Sequence, residues 1–368
     1  MLTSSNSPCS DPHTESRIAG TVRRTEVHAD RTLETFAKQQ LHDGGFRNHL
    51  LFALKNEPTE LGVLAAAFKK VGPQPIESWV HDEPTGAYAR RAWFLYEFLT
   101  GTMLDLPNAK RGAYPDVLDP KRHIVGPSVL SSRHRVRNNL LGVRDFCPTI
   151  RRTTRLARRI NEKIDEQAAR LTQSVDPELL RRAVSYLYTK ETRSSFEIER
   201  EVQNPKREER FVAALARAAQ FDFTDKAALV SLQNTIVDAR YAASDWRTDQ
   251  NFVGETVSGY REVVHLICPK PGDVPALMAG WRNAAARLLA GQVDAVAIAA
   301  LLSFGFVFVH PFEDGNGRIH RFIIHSVLAK TGFSPKDVIF PVSVAIVRDL
   351  PAYDAALETF SKAVAVAH

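Results

Sequence analysis

The chain has 368 residues, of which 44% are hydrophobic and 24% charged, and a formal net charge of +6. This composition is typical of a globular protein with one to three domains and enough chain to bury a core. Only three cysteines are present, Cys9, Cys147 and Cys268, and they are far apart. This excludes a disulfide framework and the usual cysteine metal sites, so a reducing cytoplasm is the expected location.

The first 31 residues are rich in Ser, Thr, His, Asp and Arg and contain no apolar stretch. They therefore predict a disordered leader rather than a secretory signal peptide. The longest apolar run, Ala295 to Val309, is too short to cross a bilayer, and it predicts a buried helix. No membrane association is expected.

Residues 32–165 predict a helical N-terminal extension. Apolar stripes indicate helices within 32–70 and from Asp82 to Leu104, and a loop rich in Pro and Gly follows over 105–130. The segment 133–163 holds ten basic and two acidic residues, a local charge of +8, which leaves −2 for the rest of the chain.

The basic segment 133–163 has two interpretations, a nucleic-acid contact and a solvated helix or docking surface. It contains one aromatic residue, Phe146, so it offers little for stacking on bases. The pattern favours a solvated helix or docking surface, and nucleic acid is not an expected partner.

Residues 166–368 predict a second, mostly helical domain. Asp176-Pro177 is typical of a helix start, and the helix is expected to reach about Lys190 with Leu179 and Tyr186 facing inward. Residues 247–267 change to a β-hairpin pattern, and Ala352 to Val364 predict a last amphipathic helix. The predicted fold class is all-α with one short β-hairpin.

The densest polar stretch runs from His310 to Arg321 between two apolar segments. Gly315-Asn316-Gly317 allows a turn that points backbone N–H groups to one side, and at a helix start these groups form an anion site. Arg318 and Arg321 are three residues apart, so they lie on one side of a helix and can both reach a polyphosphate. Asp314 is placed to hold Mg²⁺, and His310 to accept a proton from an attacking hydroxyl. Together these residues predict transfer of part of a nucleotide to a hydroxyl.

The same stretch resembles the signature of the Fic family, His-x-Phe-x-(Asp/Glu)-Gly-Asn-Gly-Arg-x-x-Arg. Every specified position matches: His310, Phe312, Asp314, Gly315, Asn316, Gly317, Arg318 and Arg321. Arg247 to Gly254 is similar to the start of the family's flap hairpin, and Phe340-Pro341-Val342-Ser343 to its closing segment. The resemblance covers about residues 178–368 and implies a helical Fic fold over residues 166–368.

The resemblance implies a protein adenylyltransferase that uses ATP and Mg²⁺ to modify a Ser, Thr or Tyr hydroxyl of a target protein. It implies that His310 is the general base, Asp314 the metal ligand and Asn316 a ligand near the α-phosphate. Gly315 and Gly317 would supply the anion hole, and Arg318 and Arg321 would bind the outer phosphates. The flap residues Phe252, Val253 and Gly254 would hold the target by strand addition.

An upstream segment, 192–200, resembles the inhibitory motif of many Fic proteins, (Ser/Thr)-x-x-x-Glu-(Gly/Asn). Ser195 and Glu199 match, but Arg200 stands where Gly or Asn is usual. The resemblance implies that Glu199 pairs with Arg321 and competes with the nucleotide, whereas Arg318 serves the nucleotide alone. Auto-modification and a homodimer are further expectations.

Two alternatives to AMP transfer follow from the sequence. The same fold can transfer UMP or phosphate or remove AMP, although the intact Gly-Asn-Gly-Arg favours AMP transfer. A nucleotide-sensing regulator that binds nucleic acid through the basic segment belongs to a different class, and salt-sensitive binding would mark it.

Overall fold

The computed structural model describes residues 14–19, 22–28, 32–38, 44–200, 204–257 and 261–367. Most of them are helical, as predicted, and the strands are short. The chain forms two compact units. The first comprises Met1–Leu140, Thr149–Arg152 and Ala363–His368, and the second comprises Leu141–Pro148 and Thr153–Lys362.

In its described residues, the first unit contains a small sheet, four helices and two short strand pairs. Its elements are β1 (Thr14–Ile18), β2 (Arg24–Val27), β3 (Thr32–Phe36), α1 (Phe46–Asn56), α2 (Leu61–Val71), α3 (Gln74–Asp82), α4 (Ala87–Thr100), β4 (His123–Ile124), β5 (Val129–Ser131), β6 (Val136–Asn138) and β7 (Ile150–Arg151). The first sheet has the order β1-β3-β2, with β1 parallel and β2 antiparallel to β3. Helix α4 is the most buried helix of this unit, and Trp93 and Leu95 lie in its core.

Two expectations for the N-terminal part do not hold in this structure. The leader was expected to be disordered, but strands β1 and β2 lie within it. Both strands are ordered by pairing with β3. The residues of β3 were expected to be helical, but Thr32 and Thr35 are β-branched and favour the extended backbone. The remaining leader residues, 1–13, 20–21 and 29–31, lie outside the described residues.

The basic segment 133–163 supplies structural contacts within the first unit. Arg133 forms an ion pair with Glu97 at 2.8 Å, and His134 bonds the other oxygen of Glu97 at 2.9 Å. Burial acts to raise the pKa of Glu97, but Arg133 and the other groups that bond its carboxylate together outweigh it, so the pKa falls to about 2. Arg135 donates to the carbonyl of Gly112, and Arg137 pairs with Asp116. These arginines stabilise the unit's loops.

Among the described residues, the second unit holds nine helices, most of a tenth and one hairpin. They are α5 (Thr154–Asn161), α6 (Ile164–Ser174), α7 (Pro177–Ile198), α8 (Pro205–Ala216), α9 (Lys226–Ile236), β8 (Phe252–Val257), β9 (Arg261–Ile267), α10 (Val274–Leu289), α11 (Ala295–Val309), α12 (Asn316–Lys330), α13 (Val342–Arg348) and α14 (Leu350–Ala367). Helices α11 and α12 pack on each other at the centre of this unit.

Helix α11 confirms the prediction of a buried helix over Ala295–Val309. The Asp294 side chain caps it by accepting from the N–H of Ala297 at 2.8 Å. Leu302 and Phe306 are fully removed from water. Among the described residues, no helix combines the length and the apolar character that crossing a bilayer requires.

Helix α7 begins as predicted and then differs from the prediction. Asp176 caps it and Pro177 occupies its first turn, but the helix continues beyond Lys190 to Ile198. Leu179 and Tyr186, expected to face inward, are 60% and 63% exposed. The second half of α7 packs against α12 and α13. Its buried residues are Glu191, Thr192, Ser194, Ser195 and Phe196.

Candidate active site

The loop between α11 and α12 is fixed by a buried arginine from outside the loop. Arg247 is 5% exposed, and its Nε donates to the carbonyl of His310 at 2.7 Å. Its Nη2 donates to the carbonyls of Pro269 at 2.6 Å and Val309 at 3.4 Å. Arg247 therefore satisfies carbonyls that the end of α11 leaves without helical partners. The family resemblance assigns Arg247 to the start of the flap and does not predict these contacts.

His310 is the C-cap of α11 and adopts a left-handed backbone conformation, with φ of 51°. Its Nδ1 lies 3.1 Å from the carbonyl of Val307. Because a carbonyl can only accept, Nδ1 carries the hydrogen and Nε2 is the basic nitrogen. Burial lowers the pKa of His310 to about 4. The imidazole is therefore neutral at pH 7, which is the form a general base requires.

The turn of the loop is closed by Asn316. Its Oδ1 accepts from the N–H of Phe312 at 3.0 Å, and its Nδ2 donates to the carbonyl of Phe312 at 2.7 Å. Phe312 lies in the core against Trp246 and Phe306. The amide of Asn316, expected to contact a nucleotide, thus engages the loop's own backbone.

Gly315 and Gly317 stand at the start of α12 for different reasons. Gly315 is the N-cap with φ of 90°, and a side chain there would also come within 2.7 Å of Val237 Cγ1. At Gly317, a Cβ atom would overlap Oε1 of Glu199. A carboxylate therefore lies directly over the N-terminus of α12, where backbone N–H groups and the helix dipole favour an anion.

Arg318 is only 1% exposed and is held by the protein itself. It donates to the carbonyl of Ile236 at 3.0 Å and to Oδ1 of Asp314 at 3.0 Å. Its guanidinium also lies 5.2 Å from the ring centre of Phe196 on α7. The sequence predicted that Arg318 serves a nucleotide alone, whereas α7 also contacts it here.

Arg321 connects α12 to the end of α7. Its Nε donates to Ser195 Oγ at 2.8 Å, and its Nη2 donates to the carbonyl of Ser195 at 2.9 Å and to Oε1 of Glu199 at 2.7 Å. The structure thus brings together the residues of the resembling inhibitory motif and the last arginine of the signature. The Glu199 side chain is 33% exposed, whereas that of Arg321 is 1% exposed.

The charge of Glu199 is stabilised where it lies. Its partial removal from water acts to raise the pKa, but Arg321 and the neighbouring Arg318 together with His310 outweigh this effect, and the pKa of Glu199 is lower than usual. The next residue, Arg200, has φ of 53°. Gly and Asn adopt this left-handed conformation readily. These are the residues that the inhibitory motif of Fic proteins has at the position of Arg200.

A second polar contact joins α7 to α12 one helical turn away. His325 Nε2 lies 2.8 Å from Oε1 of the fully buried Glu191, which also accepts from the N–H of Ser343 at the start of α13. Burial acts to raise the pKa of Glu191, but the bonds from His325 and Ser343 outweigh it and the pKa is lowered. The pairs Glu191–His325 and Ser195–Arg321, four residues apart on both helices, fix the register of α7 on α12.

The predicted flap hairpin is present as β8 paired antiparallel with β9. Phe252 is 45% exposed, and Val253 and Gly254 follow it along β8. The side chain of Asn251 donates to the carbonyl of Glu313 at 3.3 Å, which ties the hairpin's base to the loop. The Ser258-Gly259 turn lies outside the described residues.

The carboxylate of Asp314 fits a Mg²⁺ site in which phosphates and water supply the other ligands. Among the described residues, no group of three or more His, Cys, Asp or Glu side chains converges as a metal cage. Asp314, whose side chain is 34% exposed, lies beside the anion site. Mg²⁺ is commonly held by one or two carboxylates together with phosphate oxygens and water, so a single carboxylate fits that ion.

Comparison with known families identifies the domain that this loop belongs to. Residues 220–328 match the family model described as the Fic/DOC family. This matched stretch includes the whole loop from His310 to Arg321.

Two curated relatives carry the same name, protein adenylyltransferase Fic. The chain is 39% identical over 72 residues to that of Culex quinquefasciatus, which is 19% of this chain and 14% of the relative. It is 32% identical over 97 residues to that of Drosophila willistoni, which is 26% of this chain and 17% of the relative. The matches thus span less than a fifth of these relatives' length.

Two solved structures resemble the chain. A Fic family protein from Desulfovibrio desulfuricans is 20% identical with a TM-score of 0.41, over 58% of this chain and 70% of that one. A Fic domain containing signaling protein from Bacteroides thetaiotaomicron is 18% identical with a TM-score of 0.41, over 56% of this chain and 92% of that one.

Proposed function

We propose that the chain is a protein adenylyltransferase that transfers AMP from ATP to a Ser, Thr or Tyr hydroxyl of a target protein. The observation that carries the proposal is the anion site at the start of α12, formed by Gly315 and Gly317 beside a neutral His310. The Fic/DOC domain and the curated relatives named adenylyltransferases support the same chemistry. The whole chain's target is not implied by those short matches.

In the proposed reaction, Nε2 of His310 accepts the proton of the target hydroxyl. The hydroxyl oxygen forms a bond to the α-phosphorus, and the bond from that phosphorus to the bridging oxygen breaks, which releases pyrophosphate. The backbone N–H groups at the start of α12 stabilise negative charge on the transferred phosphate. Arg318 and Arg321 contribute positive charge to the outer phosphates.

Asp314 would hold Mg²⁺ together with the phosphates, and the ion would neutralise part of their charge when bound. Oδ1 of Asp314 is bonded to Arg318 at 3.0 Å. Asp314 therefore orients Arg318 as well as serving as the metal ligand.

The contact between Glu199 and Arg321 supports autoinhibition as part of this proposal. The carboxylate lies over Gly317 and accepts a bond from Arg321, so it uses both the anion site and the guanidinium that a phosphate needs. A nucleotide can therefore bind in the geometry that transfer requires only after the Glu199 carboxylate has moved out of the anion site. The proposed brake acts by direct competition.

The decisive experiment incubates the Glu199→Gly variant with cell lysate and Mg²⁺ together with ATP labelled at either the α- or the γ-phosphate. Protein-bound label from the α position, with an AMP adduct in mass spectrometry, is the expected result. Label retained only from the γ position would instead mean phosphate transfer. The matched control is Glu199→Gly combined with His310→Ala, and persistent transfer by this variant would contradict the assigned base.

A further inference from the structure

The hairpin of β5 and β6 in the first unit places a serine against a histidine. Residues 132–135 join the two strands, and Ser131 at the end of β5 faces Val136 at the start of β6. Within this turn His134 folds back, so that its Nδ1 lies 2.8 Å from Oγ of Ser131. At such a distance an imidazole can take the proton of a hydroxyl, which is how a serine becomes a nucleophile.

The other nitrogen of His134 is held by a fixed carboxylate. Nε2 lies 2.9 Å from Oε2 of Glu97. That carboxylate also accepts from Nε1 of Trp93 at 2.7 Å, from the N–H of Leu104 at 3.0 Å and from Nη2 of Arg133 at 2.8 Å. The ring of His134 packs edge to face on Trp93, with 4.6 Å between centroids. The base is therefore oriented by a third group, as in the known triads of serine, histidine and a carboxylate.

The charges of these groups determine where the hydrogens lie. The pKa of Glu97 is about 2, so its carboxylate is ionised at pH 7 and only accepts. Nε2 of His134 therefore carries a hydrogen. Burial lowers the pKa of His134 although Glu97 acts to raise it, so the imidazole is neutral at pH 7 and its Nδ1 carries no hydrogen. The hydroxyl of Ser131 must then donate to Nδ1, which is the direction that activates it.

We propose that Ser131 is a nucleophile for the hydrolysis of esters with short apolar acyl groups, with His134 as its general base and Glu97 as the residue that positions the base. This site lies within the first unit, and it is independent of the nucleotide transfer proposed for the second. The same constellation recurs on unrelated folds, so its geometry identifies it where no sequence motif does.

The acyl group is inferred from the strand that carries the serine. Val129 lies two residues before Ser131 in β5, so the two side chains are on one face of the hairpin. Val129 is 51% exposed, and Val136, directly across from Ser131, is buried. An acyl chain bonded to Ser131 would thus lie against apolar side chains, which favours a short apolar group over a charged one.

In the proposed reaction, Oγ of Ser131 forms a bond to the carbonyl carbon of the ester while Nδ1 of His134 takes the hydroxyl proton. The bond from that carbon to the alcohol oxygen then breaks, and Nδ1 gives the proton to the departing alcohol. Water attacks the acyl-serine next, and the proton it loses passes through Nδ1 back to Oγ. One ester and one water become one alcohol and one carboxylic acid.

The nucleophile is tested by treating the full chain, without ATP, with a fluorophosphonate reagent and locating the adduct by mass spectrometry of its peptides. The expected adduct is on Ser131 and is absent from Ser131→Ala. Ser132→Ala is the matched control, because Ser132 is the exposed next residue and should leave the labelling of Ser131 unchanged. A folded chain that gains no adduct on Ser131 would overturn the proposal.

The reaction is tested by hydrolysis of p-nitrophenyl butyrate. Ser131→Ala should reduce the rate to that of buffer, whereas Ser132→Ala should retain it. Glu97→Gln should lower the rate about a hundredfold, because an amide N–H facing Nε2 moves the imidazole hydrogen to Nδ1. Equal rates in Ser131→Ala and Ser132→Ala would mean that Ser131 and His134 only hold the hairpin together.

Two further readouts separate catalysis from a structural role. The rate of the unchanged chain should stay level down to about pH 6.5, the usual pKa of histidine, and fall only below it, because the pKa of His134 is lowered. The butyrate ester should react faster than the p-nitrophenyl monoester of succinic acid, whose acyl group is charged. A rate that falls already between pH 8 and 7, or equal rates for the two esters, would contradict the assigned base or the assigned acyl class.

Discussion

At the scale of single residues, Glu199 and Arg321 make one hydrogen bond, and the Glu199 side chain keeps a third of its surface in water. This geometry lies between an exposed pair and a buried bidentate pair, so we assign it about 1.4 kcal/mol, or a tenfold change in affinity. Glu199→Gly should therefore bind ATP about tenfold more tightly, as measured by calorimetry. Glu197→Gly, an exposed neighbour in the last turn of α7, should bind as the unchanged chain does. Equal affinity for both variants would remove Glu199 from the inhibitory role.

The buried imidazole of His310 gives a second prediction at this scale. A base works in its neutral form, and burial places the pKa of His310 at about 4. The value of kcat/KM for transfer should therefore be level above about pH 5 and fall as the pH drops through about 4. Measurement in the Glu199→Gly background removes the titration of Glu199, whose pKa is also lowered. An inflection between pH 6 and 7 would mean that His310 is solvated in the working state.

Several residues that build the site are invisible to sequence reasoning, for a physical reason. The signature loop was recognisable because its glycines, arginines and histidine act at fixed spacing. Arg247 and Gln233 instead bond backbone carbonyls of that loop, and Gln233 donates to Asp314 from 81 positions away. A carbonyl exists at every residue, so such contacts leave no spacing in the sequence.

At the scale of the helix, α7 ends in an unfavourable backbone conformation. Arg200 has φ of 53°, which costs a residue with a Cβ atom about 1 kcal/mol relative to glycine. Arg200→Gly should therefore raise the free energy of unfolding above that of Arg200→Ala by about 1 kcal/mol. Both variants lose the arginine side chain, so the comparison isolates the backbone. The measurement is urea unfolding followed by circular dichroism, and equal midpoints would show that the turn is unstrained.

In α7, the hydrophobic periodicity gave a wrong prediction of which side chains are buried. Leu179 and Tyr186 have helical spacing, but the side chains that pack on α12 are Glu191, Ser195 and Phe196. Two of these are polar and are buried because His325 and Arg321 satisfy them. A hydrophobicity pattern assigns such residues to the surface, since it cannot foresee their partners.

At the scale of the whole molecule, part of the positive charge is engaged in contacts inside the protein. Arg133, Arg135 and Arg137 of the basic segment contact carboxylates and carbonyls of their own unit. We expect no DNA or RNA gel shift at physiological salt. The exposed Arg155 and Arg158 of α5 provide the check. A salt-sensitive shift that Arg155→Glu and Arg158→Glu abolish would restore the nucleic-acid hypothesis.

The Glu199 carboxylate that lies over Gly317 is part of the same chain as the site that it occupies. Diluting the protein therefore does not release it. A free inhibitor is lost when the solution is diluted, whereas a tethered one keeps an effective concentration that for short connections is on the order of millimolar. On the proposed function, ATP must therefore reach about tenfold the concentration that would suffice without Glu199. The rate of transfer would then rise and fall with the ATP supply, and the protein would respond to the energy state of its surroundings without a separate sensor.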